Sequence, residues 1–465
     1  MNLFQHQQEM LLAMGDNNRG IIQCPTGGGK TYTFVTDSRK HMQPGNVIVV
    51  VAPRLLLIEQ LFSEFDKHLS DIDFLYREIS SEGRKLQRDR RNLSFRITPP
   101  QSATTYIDQI KDTYRIAVKQ QKPLVLFVTY DSLERVLKSG IPVEVTYYDE
   151  AHNAVSSDKF DTVKQFALMS KRNYFFTATP LFSPGHNPNA SGMDNINVYG
   201  EIICQVNFNK LIERGVIVKP VIHIQKSDVA LSAHKEVGVD FKTIEEVVDH
   251  YEDTYEGNHK ILFCTRGTKS IKDLIDGGIV KWANSKGYRL FSTDSVNGKL
   301  VDGVKVKDNQ FLELLNQTGD DKNQKMLVLH YSQIAEGIDI KSFTGLVFLR
   351  QSMSEIFTTQ SIGRVIRSAP GKTQGIVTVI RHTDDTGEAM NLVDHIIGSL
   401  RNNGVPPEVF VTDEDGRGDS EEVVENISPT AQMMINQALI NWEHSCLDKF
   451  FTEKVATKDP TEFVF

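Results

Sequence analysis

GIIQCPTGGGKT, residues 20–31, decides how the rest of the chain is read. A short apolar run, Gly20 to Gln23, leads into three glycines, a lysine and a threonine, and a stretch of helical character follows. A strand that ends in a glycine-rich turn and opens a helix is the setting of a phosphate-binding loop. Gly27, Gly28 and Gly29 let backbone N–H groups curl around an anion. Pro25 and Thr26 belong to the same ATP-binding turn. Lys30 brings a positive charge toward the β and γ phosphates, and the Thr31 hydroxyl is placed to ligate magnesium. The expected ligands are therefore ATP and Mg2+. The strict pattern has glycine where Cys24 stands, so the GGGKT core carries this reading. Upstream, Gln7 in LFQHQQE could hydrogen-bond an adenine edge.

Further along the chain, the apolar run VEVTYY ends in Asp149, Glu150, Ala151 and His152. Acids at the carboxyl end of a buried parallel strand project into the crevice where such sheets bind ligands. Asp149 is the candidate magnesium carboxylate, and Glu150 the candidate base that orients or deprotonates an attacking water. His152 is expected to relay the nucleotide state to Thr177, Ala178 and Thr179.

Short β-branched runs alternate with helix-like stretches: 46–52, 123–129, 143–150 and 173–180, and again at 260–265, 325–332, 345–350 and 375–381. This texture predicts α/β architecture with two parallel sheets flanked by helices, and 465 residues exceed what one core usually supports. The expected domains are 1–200, an interdomain segment 201–220 with the joint at Gly215 to Pro220, and 221–405. Residues 413–425 hold seven acids and one arginine, so 406–427 reads as an acidic linker. Ser428 and Pro429 then open a helical extension over 428–465, whose Met433, Met434, Ala438, Leu439 and Trp442 form a packing face.

A net charge of -8 excludes a uniformly basic surface, so any contact with nucleic acid must be local. One basic stretch runs from Arg77 to Arg96, and it reads equally as a solvated helix face. No run of about 18 apolar residues could span a bilayer. The N-terminus has no secretion signal, and a cytoplasmic setting is expected. The cysteines are far apart with no CxxC pair, which predicts reduced thiols and no zinc or iron-sulfur site.

Taken in order, these motifs resemble those of superfamily 2 helicases of the DEAH type across roughly residues 3–385. Beyond PTGGGKT and DEAH, APRLLLIEQ (52–60) resembles motif Ia, TYDSL (129–133) Ib and TATP (177–180) III. ILFCTR (261–266) is similar to motif IV, SQIAEGIDI (332–340) to V and QSIGRVIR (360–367) to VI. The resemblance implies two tandem RecA-like domains that close on ATP. It makes Arg364 and Arg367 the arginine fingers at the γ-phosphate, with Gln360 beside them, and gives Gly337 and Asp339 contacts to ribose or γ-phosphate. It places Arg54, Thr129, Ser132, Thr265, Arg266 and Ser332 against the nucleic-acid strand.

Residues 199–220 resemble the interdomain segment of the type III restriction, repair-helicase and phage recombination branch, and 330–367 are most similar to bacteriophage branch-migration helicases. The implied partner is forked, branched or single-stranded DNA, handled by a monomeric motor in a host cytoplasm, with phage replication or recombination proteins as further partners. Two alternatives stay open: an RNA helicase, and a non-catalytic clamp, against which Lys30, Asp149, Glu150, Arg364 and Arg367 all speak. A restriction motor would need its nuclease from a separate subunit.

Overall fold

The computed structural model describes residues 3–80, 101–183, 190–230, 239–331, 340, 342–350, 355–384, 387–402 and 408–411. Two sheets organise them. The first has eight strands, β1 (Arg19–Gln23), β2 (Val47–Ala52), β3 (Leu75–Ile79), β4 (Gln101–Thr104), β5 (Leu124–Thr129), β6 (Val143–Tyr148), β7 (Ser170–Thr177) and β8 (Ile202–Gln205). Their order is β4-β3-β5-β2-β6-β7-β1-β8, and every pairing is parallel. β2 and β5 are buried at every position, which is why they read as unbroken apolar runs rather than as alternation.

The second sheet contains β9 (Lys219–Lys226), β10 (Lys260–Cys264), β11 (Tyr288–Asp294), β12 (Gly298–Val301), β13 (Val304–Lys305), β14 (Lys325–His330), β15 (Gly345–Phe348), β16 (Gln374–Arg381) and β17 (Glu408–Val411). Its order is β13-β12-β11-β14-β10-β15-β16-β9-β17. Only the β11-β12-β13 meander at one edge is antiparallel. The architecture is two tandem RecA-like α/β units, as the sequence predicts.

The edges of the units differ from the sequence boundaries. Ile202–Gln205, expected between the domains, completes the first sheet by pairing with β1. Glu408–Val411, expected to open the acidic linker, pairs with β9 in the second sheet. Four-residue edge strands are too short to carry a periodic signal. The chain leaves the first unit through a helix at Phe208–Glu213, turns at Gly215 in the left-handed region (φ 66), and enters β9 at Lys219. The acidic stretch 413–425, the helix expected after Ser428 and the basic residues from 81 to 96 lie outside the described residues. Arg77, counted with that basic stretch, is interior: its guanidinium donates to the Gln109 carbonyl and side chain and to Thr113 Oγ1.

One apolar cluster runs through both units, from Phe34 and Phe176 by way of Leu211 and Ile217 to Leu346 and Val365. The connector thus belongs to the core, and the crevice it lines holds the site.

Candidate nucleotide site between the two sheets

β7 lies between β6 and β1, with Gln23 opposite Thr177 and Tyr148 opposite Phe175. This register brings the phosphate loop, the acid pair and the TATP turn to adjacent strand ends. Cys24 N–H donates to Thr177 O at 2.9 Å, and Asp149 N–H to Val51 O at 2.8 Å. Gly27 and Gly29 sit at φ 87 and 77, where any side chain is strained. A Cβ on Gly28 would lie 2.4 Å from Cys24 Sγ. The odd cysteine is therefore the floor of the loop, and burial pushes its thiol up to about 12, so it packs as a small apolar group.

The helix Gln5–Asp16 fastens the loop from outside. His6 Nε2 donates to Gly28 O at 2.9 Å, while Gln7 accepts from Phe4 N–H at 3.0 Å and donates to Gly29 O at 3.4 Å. Holding these two carbonyls turns their peptides' N–H groups the other way, toward a bound anion. Gln7 was expected to meet the base. Here its side-chain oxygen accepts from Phe4 and one amide N–H reaches the loop, and His6, which the sequence does not single out, holds Gly28 O beside it.

Lys30 is buried, with Nζ 3.2 Å from Cys24 O and 3.7 Å from Glu150 Oε1. Glu150 takes a left-handed conformation (φ 46, ψ 54) that is uncommon for a side-chain-bearing residue and turns the chain sharply after Asp149. Burial, and then the neighbouring Glu150, push Asp149 up to about 7. Burial would raise Glu150 too, but the charges of Lys30, His152 and Arg364 outweigh it and hold that carboxyl below its usual value. His152 Nδ1 lies 3.1 Å from Thr177 Oγ1, and Thr179 N–H donates to the same oxygen at 3.1 Å. His152 and the TATP turn are thus joined by direct contacts. Tyr130, not singled out in the sequence, donates from its hydroxyl to Asp149 O at 3.0 Å.

The second unit closes the site. The helix Glu355–Val365 carries Gln360 and Arg364, both buried. A Cβ on Gly363 would lie 2.6 Å from Thr26 Cβ, and one on Gly27 would lie 3.4 Å from Arg367 Cγ. Arg364 acts electrostatically on both Asp149 and Glu150. Burial lowers Arg367 to about 10, which leaves it cationic at neutral pH.

Gly363 is a residue that sequence reading passed over; the signal was a glycine inside an otherwise regular helix, which usually marks close approach. Gly363→Ala is expected to push the helix off Thr26 and to lower kcat/KM for ATP about tenfold, the equivalent of roughly 1–2 kcal/mol of overpacking. Steady-state ATPase kinetics checks this, and unchanged kcat/KM would remove the contact from the closing step.

The donor set fits a hard divalent cation. Thr31 and Asp149 offer oxygen, Glu150 Oε2 and Thr26 Oγ1 are buried without a hydrogen-bond partner, and two carboxylates share one lysine. Among the described residues no group of three or more His, Cys, Asp or Glu could cage a metal alone. A magnesium ion here would rely on phosphate oxygens for much of its shell, as Mg2+ commonly does. Because Asp149 titrates near 7, protons should compete with the cation. ATPase at limiting Mg2+ is expected to fall up to tenfold per pH unit below about 7, the inflection moving to lower pH as Mg2+ is raised. An inflection that ignores Mg2+ would count against Asp149 as the ligand.

The strand-facing candidates divide into two groups. Arg54, Thr129 and Ser132 follow strands that end side by side, since Ala52 pairs with Thr129; Arg54 is exposed, whereas Thr129 and Ser132 are buried. Thr265 and Arg266 are turned inward. Thr265 Oγ1 donates to His330 O at 3.0 Å, and Arg266 donates to Leu349 O at 2.8 Å and pairs with Asp240 at 3.1 Å. A hydroxyl at a strand end tends to satisfy nearby backbone, and a half-buried guanidinium needs partners inside. Gly337, Asp339 and Ser332 lie outside the described residues.

The fold is that of two tandem RecA-like units, with one unit carrying the glycine-rich loop and acid pair and the other presenting arginines. Residues 1–182 match the family model described as the type III restriction enzyme, res subunit. Among solved structures, the chain is similar to the ATP-dependent Type ISP restriction-modification enzyme LlaBIII bound to DNA, with a TM-score of 0.67 and 17% identity over 99% of this chain and 35% of that one. It also resembles the Mycobacterium smegmatis helicase Lhr bound to ssDNA and AMP-PNP (TM-score 0.55, 14% identity, 87% of this chain, 48% of that one). A third similar structure is Mss116p bound to ssRNA and AMP-PNP (TM-score 0.55, 15% identity, 96% and 82%). The chain spans about a third of the length of the Type ISP enzymes. No curated protein matches it. No helix among the described residues is long and apolar enough to cross a membrane.

Proposed function

We propose that this chain is an ATP-hydrolysing superfamily 2 motor of the DEAH type that moves on DNA and remodels forks or four-way junctions, in a phage-type replication or recombination setting. The observation that carries the motor reading is the approach of Arg367 and Gly363, from the second sheet, to Gly27 and Thr26 of the phosphate loop in the first. Such an arrangement makes catalysis depend on the relative position of two units, and a motor requires that dependence.

In this reading the amides of Gly27 to Lys30 and the Lys30 ammonium hold the phosphates of ATP. Thr31 and Asp149 hold magnesium, which when bound draws negative charge from the β and γ phosphates. Glu150, kept ionised by its cationic neighbours, accepts a proton from water placed in line with the γ-phosphate. Arg364 and Arg367 supply charge to the equatorial oxygens only when the units close. His152 and Thr177 carry the change at Glu150 to the TATP turn. Arg54, exposed at the crevice, is the residue of this group able to touch a strand phosphate, while Thr129 and Ser132 are buried, and such a contact predicts binding that weakens with salt.

The test is steady-state ATPase without nucleic acid, with single-stranded DNA, with four-way DNA and with matched RNA, using Lys30→Ala as the blank. Strong stimulation by branched DNA supports the reading. Stimulation by RNA alone would move the track to RNA, a reading to which the likeness to RNA-bound helicases lends support. No hydrolysis above the blank would leave a clamp that binds without turning over.

A further inference from the structure

Arg367 lies beyond the end of its helix, which closes at Val365, so helical geometry does not set its position. The connector holds one side of the segment: Val218 N–H donates to Ile366 O at 2.7 Å, Ile217 and Arg367 form an isolated antiparallel bridge, and Ser368 Oγ donates to Val216 O at 3.0 Å. The other side is held by a side chain. After Arg367 the chain turns tightly, with Gly371 at φ 83 and Lys372 N–H on Ala369 O at 3.0 Å, and brings Lys372 back to the helix end. Lys372 Nζ donates there to Val365 O at 2.5 Å and to Arg367 O at 2.9 Å.

We infer that Lys372 is a positioning residue that fixes the arginine beyond the helix against the phosphate loop. The last carbonyls of a helix have no partner within it, and a cation there completes them and suits the negative end of the helix dipole. Lys372 joins one carbonyl inside the helix to one beyond it, so it sets the angle at which the chain leaves the helix and Arg367 heads for Gly27. Burial and the nearby Arg367 charge lower Lys372 to about 7, so the group sits where cations are disfavoured and the paired carbonyls hold it. This inference rests on the reading of Arg367 as the γ-phosphate arginine.

The test uses the full chain with Lys372→Met, Lys372→Arg, Arg367→Ala and the double variant Lys372→Met/Arg367→Ala. Lys372→Met is expected to lower kcat about tenfold to a hundredfold, as small displacements of positioned groups do, with KM for ATP nearly unchanged. Lys372→Arg keeps donors for both carbonyls and recovers most of the loss. In the Arg367→Ala background Lys372→Met adds less than about twofold, because both act through one arginine. Backbone hydrogen exchange at Val218, measured without nucleotide, should quicken in Lys372→Met.

A full-sized loss in the double variant, an unchanged kcat or unchanged exchange at Val218 would each overturn the proposal. Normal turnover in Arg367→Ala alone would instead remove the arginine reading, and the exchange rate would still decide whether Lys372 holds this segment.

Discussion

Glu150→Gln is expected to lower kcat for ATP by about two to four orders of magnitude, the usual range for a positioned base, while ATP still binds. The amide keeps the size and planarity of the carboxylate, so the left-handed turn at φ 46 and the packing around it survive. It cannot take a proton. Lys30, 3.7 Å from Oε1, loses a counter-charge and becomes more available to phosphate, so ATP should be retained at least as tightly. Equilibrium ATP binding together with single-turnover hydrolysis separates the two effects. A kcat within threefold of wild type would end the assignment of Glu150 as base. A large loss of binding would make it a structural residue.

Arg367→Ala is the second large effect. Where an arginine serves a phosphoryl-transfer transition state its removal lowers kcat by about 10³-fold or more, and the same is expected here, with only modest loss of ATP affinity. The side chain is half-buried against Gly27, and burial disfavours a cation unless it has work to do there. Arg367→Lys should not restore the rate, since an ammonium lacks the planar fork that spans two oxygens. A restored rate with lysine would mean that charge alone matters and that the bidentate geometry does not.

Much of the architecture was legible because buried parallel strands announce themselves. VIVVVA, LVLFVT, KILFC and GIVTVIR are apolar on both faces, and each became a central strand. Edge elements were not legible. β4, β8, β13 and β17 are edge strands of four residues or fewer, and their pairing is decided by which neighbour lies beside them. The same limit shaped the site. Lys30, Asp149, Glu150 and His152 stand at strand ends in contiguous motifs, and strand order brought them together. His6, Tyr130 and Lys372 contribute through contacts between segments far apart in the chain or folded back on themselves, and nothing in their local sequence distinguishes them from ordinary surface or packing residues; Gly363 is marked only as a glycine inside a helix.

Thr265 and Arg266 show how a motif position leaves the direction of a side chain open. They occupy motif positions, yet the structure uses their polar groups to satisfy His330, Leu349 and Asp240 inside the second unit. A motif specifies residue type and spacing, while the direction of a side chain depends on which buried partner it must satisfy.

The sequence by itself determined two parallel α/β units, a glycine-rich loop with cysteine where glycine is usual, an acid pair ending a buried strand and arginines in a later motif, because each depends on residues close together in the chain. Only the tertiary structure decided that Gly363 meets Thr26, that Arg367 reaches Gly27 and that the connector and Lys372 grip the segment between them. Those contacts arise from packing between two sheets, where close approach depends on the absence of a single Cβ and on carbonyls left open at a helix end.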